Sequence, residues 1–317
     1  MARASLGHGV DGILVIAKPT GPTSHDVVAL VRRLAATKRV GHGGTLDPFA
    51  SGVLPIFLGH ATRVVEYHLS DRKAYRATVC FGASSTTDDL EGELTPSDAP
   101  APDRQAVEAA LAGFIGTISQ RPPAYSAIKV GGRRAFAMAR AGETVTLASR
   151  EVTIDEIVVT AWDDTDPARP VAVIEVRCSA GTYIRALARD LGETVGNAAY
   201  LGALTRTASG PFHLDDATPL DVIRTAAADG PDGLGPFLRP IDAGLEALPD
   251  VVLTEPEVAA IAKGQFVRPA AGLPAPASHY RLRGPNGELV AIATATAGRL
   301  APDKVFVAPA TSPTRDE

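Results

Sequence analysis

A single acid, Asp47, stands in the stretch Arg39–Gly59, RVGHGGTLDPFASGVLPIFLG, between Leu46 and Pro48 and just behind Gly41, Gly43 and Gly44. The glycines permit a tight backbone that can approach a ligand. The pre-proline position narrows the conformations open to Asp47, and His42 supplies a protonatable ring nearby. A carboxylate held rigidly in this way has the chemistry of a nucleophile or a base. A plainer requirement fits the same residues, because aspartate caps helices, proline suits the first helical position, and DPFAS before Gly52 matches one helical turn. A nucleotide-binding loop does not fit, since GHGGTLDP lacks the Lys-Ser/Thr pair after its second glycine.

The second group is CSAGTYIRALARDLG. If Thr182 caps the helix, Arg185 falls in its first turn, where the helix's partial positive charge disfavours a cation by about 0.3–1 kcal/mol. A local rule broken in this way points to function. A negative group opposite Arg185 resolves it, and Asp47 is the candidate: such a pair holds the carboxylate ionised and oriented. An exposed arginine at a helix end answers the same pattern. Tyr75 and Tyr183 each sit close to an arginine, in AYR and TYIR. They read either as core aromatics with satisfied hydroxyls or as walls for a base held out of a nucleic-acid stack. Leu204 in LTRTASGPF offers an apolar floor and Arg206 a phosphate contact.

These residues must be positioned by a chain of 317 residues, 45 % apolar and 21 % charged, which is ordinary globular composition for one sizeable domain and a smaller one. No run approaches the roughly eighteen apolar residues of a membrane span, and the start lacks a cleavable signal's long apolar core, so a cytoplasmic protein is expected. Cys80 and Cys178 lie in strand-like runs away from any metal-spaced cluster, which predicts buried, reduced thiols and no metal. The formal charge of -5 opposes nucleic-acid binding at first sight. Its distribution does not: between Gln120 and Arg150 six bases, Arg121, Lys129, Arg133, Arg134, Arg140 and Arg150, face one acid, Glu143, for a net +5. A basic face on an acidic protein suits an anionic partner, and equally an ordinary solvated surface.

GILVIAKP is an apolar run, TGPTS a turn, and Val27, Val28, Val31 and Leu34 recur at helical spacing behind Ser24 as N-cap. KAYRATVCFG alternates Tyr75, Ala77, Val79 and Phe81 against polar neighbours, a strand with one greasier face. Val107, Ala110, Leu111 and Phe114 mark a further helix, as do Ile184, Leu187, Ala188 and Leu191, while REVTIDEIVVTAWD and PVAVIEVRCSAGTY form a strand pair. Strands and helices alternate without a strict βαβ repeat, which predicts an α+β fold with a mixed, largely antiparallel central sheet and flanking helices. Past Pro249, LTEPEVAAIAKG has a capping box, Thr254 to Glu257, and HYRLRGPNGELVAIATAT and KVFVAPA supply strands of a small C-terminal domain.

The motifs KPTGPTSHDVV, RVGHGGTLDPFASGVLPIFLGHATR, KAYRATVCFG, SAIKVGGRRAFAMARAGE, RCSAGTYIRALARDLG and LTRTASGPF resemble, in order, those of the TruB-type tRNA pseudouridine synthases, over residues 11 to 248. The resemblance implies the pseudouridine synthase fold in 1–248, an RNA-binding thumb at about 121–150, a PUA-like RNA-binding domain in 249–308 and a flexible tail, 309–317. It implies conversion of uridine 55 in the tRNA T-loop to pseudouridine by base flipping, with neither metal nor cofactor; a monomer without an obligate protein partner is the default expectation. By the same resemblance Asp47 is the catalytic aspartate, attacking either sugar or base. Tyr75 stacks on the target base and is a candidate proton acceptor, and Arg185 pairs with the aspartate. Tyr183 and Leu204 line the uracil pocket, and His42 holds the opened T-loop. Lys18 and Pro19 give support near the site, and Lys129, Arg133, Arg134 and Arg206 are candidates for the RNA backbone. Three other readings compete: a non-catalytic RNA-folding module, an isomerase guided by partner proteins and a small RNA, and a phosphate-processing hydrolase. The intact acid, tyrosine and arginine set speaks against the first, the short C-terminal domain without a lysine-rich extension against the second, and the lack of a second carboxylate near Asp47 against the third.

Overall fold

The computed structural model describes residues 10–269, 272–274 and 276–308; the expected tail, 309–317, lies outside the described residues. Gly12–Lys18 and Ser51–Leu58 are apolar at nearly every position because both faces of the sheet they join are covered. Leu14, Ile16, Leu54 and Ile56 enter one core, under the helices Ser24–Leu34, Arg104–Leu111 and Ile184–Thr194. Ile13, Val15, Val53 and Phe57 enter another, with Ala61, Val64, Phe212 and Leu245. Successive side chains therefore feed two cores, as the period of two in a strand requires.

The eleven-stranded sheet runs Thr218–Pro219, Gly12–Lys18, Ser51–Leu58, Ala199–Ser209, Lys73–Phe81, Val171–Cys178, Arg150–Asp163 and Gly116–Gln120, with three short strands off this path. Neighbours are antiparallel except at two places: Gly12–Lys18 beside Thr218–Pro219, and Ser51–Leu58 beside Ala199–Ser209. The architecture is α+β with a mixed, largely antiparallel sheet, as the pattern predicts. The second parallel pairing sets Gly52 against Arg206, and Gly52 has φ +110°. A Cβ there would lie 2.2 Å from the Arg206 carbonyl oxygen, so only glycine fits. Gly52→Ala is expected to destabilise the fold by roughly 1–3 kcal/mol, read as a lower urea midpoint at unchanged slope.

Local signals mostly hold. The helix Ser24–Leu34 is capped by Thr23, not Ser24, through a capping box with Asp26. The Ser24 hydroxyl is used elsewhere, donating to the Leu46 carbonyl at 2.9 Å and accepting from the Leu46 amide at 2.7 Å. Cys178 is buried as expected, whereas Cys80 is half-buried, next to the Tyr200 hydroxyl. Among the described residues no helix is long and apolar enough to cross a membrane.

A separate C-terminal sheet is ordered Asp250–Val252, Tyr280–Arg283, Leu289–Thr296, Arg299–Val305, with the Thr254/Glu257-capped helix Glu255–Ala262 against its core. The last strand begins at Arg299 and ends at Val305, earlier than KVFVAPA suggested. Ala297 and Gly298, both at positive φ, close a two-residue hairpin pairing Thr296 with Arg299, and that turn fixes the register. Pro302 is accommodated on this edge strand beside a register shift. Ile292 and Phe306 face away from the small domain's own core and complete the second core under the central sheet.

Candidate active site

Asp47 sits in a tight turn, closed by the Ala50 amide donating to the Asp47 carbonyl at 3.1 Å. It does not cap a helix. The turn is fastened on three sides. Ser24 clamps Leu46, the Gly21 amide donates to the Pro48 carbonyl at 2.8 Å, and buried Lys18 donates from Nζ to the carbonyls of Pro19 and Pro22, each at 2.9 Å, and of Pro48 at 3.5 Å. Lys18 thus ties the TGPTS turn to the Asp47 turn, and burial pushes its pKa down to about 8 against the pull of Asp47.

The arginine arrives on the helix Ile184–Thr194. Its N-cap is Tyr183 rather than Thr182, with no capping side-chain bond of its own. Buried Gln120 serves instead, Oε1 accepting from the Tyr183 amide at 2.8 Å and Nε2 donating to its carbonyl at 3.0 Å. Arg185 lies in the first turn, as expected, and its Nε is 3.0 Å from Asp47 Oδ2. The Arg185 side chain is 6 % exposed and that of Asp47 36 %, so the guanidinium forms the floor and the carboxylate opens to the space above it.

A second carboxylate stands there after all. Asp89 Oδ2 is 3.2 Å from Arg185 Nη1, and Asp89 is itself held by the Thr87 hydroxyl and the Glu91 amide. Arg185 also donates to the carbonyls of Thr87 at 3.1 Å and Tyr125 at 2.9 Å, so the fork is fixed in orientation. One turn along, Arg189 repeats the arrangement with Asp88 at 2.7 Å and Asp190 at 2.7 Å. The Asp47 pKa is pushed up by burial and by the Asp89 carboxylate, against the attraction of Arg185 and Lys18.

Asp47 and Arg185 open into a cavity of about 930 Å³, lined also by His42, Tyr75, Tyr183, Leu204 and Arg206. Six residues from four stretches of the sequence therefore meet around the acid. His42 Nδ1 accepts from the Gly44 amide at 3.2 Å, and burial lowers its pKa, so it presents a neutral ring. Tyr75 packs against the main core, and its pKa is raised by burial while Arg206 beside its hydroxyl opposes the shift. Tyr183 is overlaid by the Arg150 guanidinium, 4.7 Å from the ring centre.

The basic candidates separate. Lys129 and Arg133 are exposed on the small hairpin Lys129–Val130/Arg133–Arg134 and do not line the cavity; Arg133 makes a bidentate pair with Glu143 at 2.7 and 3.0 Å. Arg134 lines the cavity wall and donates to the Ala127 carbonyl at 3.0 Å. Arg206 is not a surface phosphate contact. It is 1 % exposed and donates to the carbonyls of Val53 at 2.8 Å, Thr45 at 3.3 Å and Gly44 at 3.1 Å. The parallel pairing next to Gly52 turns it inward, where it shapes the glycine-rich loop. Asp89 and Gln120 lie outside the motifs quoted above, and Arg189 lies inside RCSAGTYIRALARDLG with nothing in its spacing to set it apart.

Residues 32–184 match the TruB family pseudouridylate synthase N-terminal domain. The chain is 42 % identical over 301 residues to the tRNA pseudouridine synthase B of Bradyrhizobium diazoefficiens, covering 94 % of this chain and 86 % of that protein. It is 43 % identical over 302 residues to that of Thermobifida fusca, covering 93 % and 98 %. Among solved structures, a Cbf5-Nop10-Gar1 complex aligns with TM-score 0.69 and 27 % identity over 94 % of this chain and 85 % of that one. An H/ACA RNP bound to a substrate RNA containing 2'-deoxyuridine aligns with TM-score 0.69 and 25 % identity over 94 % and 86 %. The chain belongs to the TruB family of pseudouridylate synthases, which are isomerases.

Proposed function

We propose that this chain converts uridine 55 in the T-loop of tRNA to pseudouridine, with the base flipped into the cavity and Asp47 attacking the nucleotide. The observation that carries the reading is the 3.0 Å contact between Asp47 and Arg185 on the floor of a cavity large enough for a nucleotide. The bond from uracil to ribose breaks, the ring turns, and carbon 5 takes the place of the original nitrogen. No redox step enters and no cofactor is required. Asp47 is the nucleophile, toward sugar or base, and Arg185 holds it. Tyr75, Tyr183 and Leu204 wall the base, Tyr75 is the candidate acceptor for the proton leaving carbon 5, and His42 offers a flat neutral surface to the opened loop. Flipping costs a few kcal/mol, which stacking of about 1–3 kcal/mol per base offsets.

We assign residues 1–248 to the catalytic unit, 121–150 to a thumb whose Lys129, Arg133 and Arg134 meet RNA backbone, and 249–308 to a PUA-like RNA-binding unit. The chain acts as a monomer in the cytoplasm, without guide RNA or partner. Its identity to proteins named tRNA pseudouridine synthase B, above 40 %, exceeds the 25–27 % to chains solved in an RNP or a multi-protein complex, which supports this reading. The test is incubation with unmodified tRNA transcript followed by chemical mapping of pseudouridine. Product at position 55 is expected; product elsewhere only, or none, refutes the assignment.

A pH profile gives a second test. The nucleophile must be ionised, and the Asp47 pKa lies above an ordinary aspartate's 3.8. The acid limb of kcat/KM is therefore expected above 3.8, with activity rising as Asp47 loses its proton. In Asp89→Asn the limb moves to lower pH, because the repelling charge is gone and Arg185 attends Asp47 alone.

A further inference from the structure

Two buried cations border the cavity with no acid to answer them. Lys73 is 6 % exposed and Arg206 1 %, and both line the cavity. Among the described residues Lys73 Nζ donates to one group, Ser209 Oγ at 2.9 Å, although an ammonium carries three donors. Arg206 is occupied by three carbonyls and the Tyr75 hydroxyl, all uncharged. Among the described residues neither cation has a carboxylate oxygen within 4.0 Å. Asp71, the acid whose charge reaches Lys73, is already held by His68 Nδ1 at 3.0 Å. Cys178, paired across the sheet from Lys73, is a neutral thiol, its pKa pushed up to about 11 by burial.

Burying a charge without a countercharge is costly, and here burial and the nearby Arg206 push the Lys73 pKa down to about 8. At neutral pH the amine still holds its proton and its deficit of negative charge. The space beside it has been left open. An atom at the Cβ position of Gly44 would lie 3.5 Å from Arg206 Nη1 and 4.0 Å from Lys73 Cε, and Gly44, at φ +140°, carries none. Tyr75 stands two residues from Lys73 on the same strand, so the amine flanks the wall of the base pocket.

We propose that Lys73, backed by Arg206 and uncovered at Gly44, is a phosphate subsite that takes a phosphodiester oxygen next to the target uridine. The subsite rests on the uridine-isomerase reading above. It differs from the contacts of Lys129, Arg133 and Arg134, which are exposed and screened by salt. Here an anion enters a poorly solvated pocket, where a charge-assisted hydrogen bond is stronger.

The test uses a T-arm stem-loop RNA with a neutral methylphosphonate linkage on either the 5′ or the 3′ side of the target uridine. One of the two substitutions is expected to weaken wild-type binding by about tenfold or more, and to have no further effect on Lys73→Gln. Lys73→Gln should also lower the slope of log K against log[salt] by about 0.7–0.9, the signature of one lost phosphate contact, and Lys73→Arg should restore it. Wild-type binding indifferent to both linkages, or an unchanged slope in folded Lys73→Gln, overturns the subsite. If Lys73→Gln does not fold, the two linkages on wild-type protein decide. Failure of wild type to bind and convert the unmodified stem-loop defeats the isomerase reading itself, and the subsite with it; conversion without linkage sensitivity defeats the subsite alone.

Discussion

Asp47→Asn is expected to abolish pseudouridine formation, by at least about three orders of magnitude in single-turnover rate, while RNA binding stays within a few-fold of wild type. The amide keeps the shape of the turn, which is fastened by Ser24, Gly21 and Lys18 rather than by the Asp47 side chain. What it loses is the anion. Arg185 is not orphaned, because Asp89 and the carbonyls of Thr87 and Tyr125 still hold it. Burial and Asp89 both disfavour charge on Asp47, so removing that charge relieves the folded state. The thermal midpoint of the variant should therefore equal or exceed wild type. Retained activity would take Asp47 out of the chemistry, and a large drop in stability would show that its ion pair is structural.

Arg185→Lys is expected to lower the same rate by about a hundredfold or more, with a loss of roughly 1–3 kcal/mol in stability. One guanidinium makes ion pairs with two carboxylates and donates to two carbonyls. An ammonium reaches at most some of them and leaves the others buried without a donor. Single-turnover kinetics and urea unfolding on the same preparation separate the effects. A lysine variant as fast as wild type would mean that charge near Asp47 suffices and that its orientation does not matter.

The pairing of Asp47 with Arg185 was legible because it broke a local rule: a cation in the first turn of a helix needs an acid opposite. Tyr75, Tyr183, His42 and Leu204 stood out by their neighbours, but only motif resemblance chose pocket over core, since an aromatic or apolar residue in a core and one in a pocket wall share the same spacing. Arg206 misled for a related reason. Its alternation along the strand is clear, but which face carries a buried guanidinium depends on the partner strand, and that strand comes from residues far upstream. Asp89 was invisible because an acidic loop reads as solvated surface until tertiary contacts supply its arginine. At the N-terminus of the first helix Ser24 is the expected cap, and Thr23 takes that place. The choice between them came from the Leu46 backbone, which needed one of the two hydroxyls.

Ser51 and Thr205 meet side by side in the sheet although 154 positions separate them. Such a long-range parallel pairing must await about two thirds of the polypeptide, since it needs Thr205 of a chain of 317 residues and its loop-closure cost is met before any contact rewards it. A nascent chain that has emerged past Asp47 already has its acid, yet owns neither the guanidinium beneath it nor the strand that seats its turn. The assembled site therefore cannot precede synthesis of Arg185 and of the strand Ala199–Ser209. Products terminated before that strand are expected to lack the assembled site, however much local structure they hold.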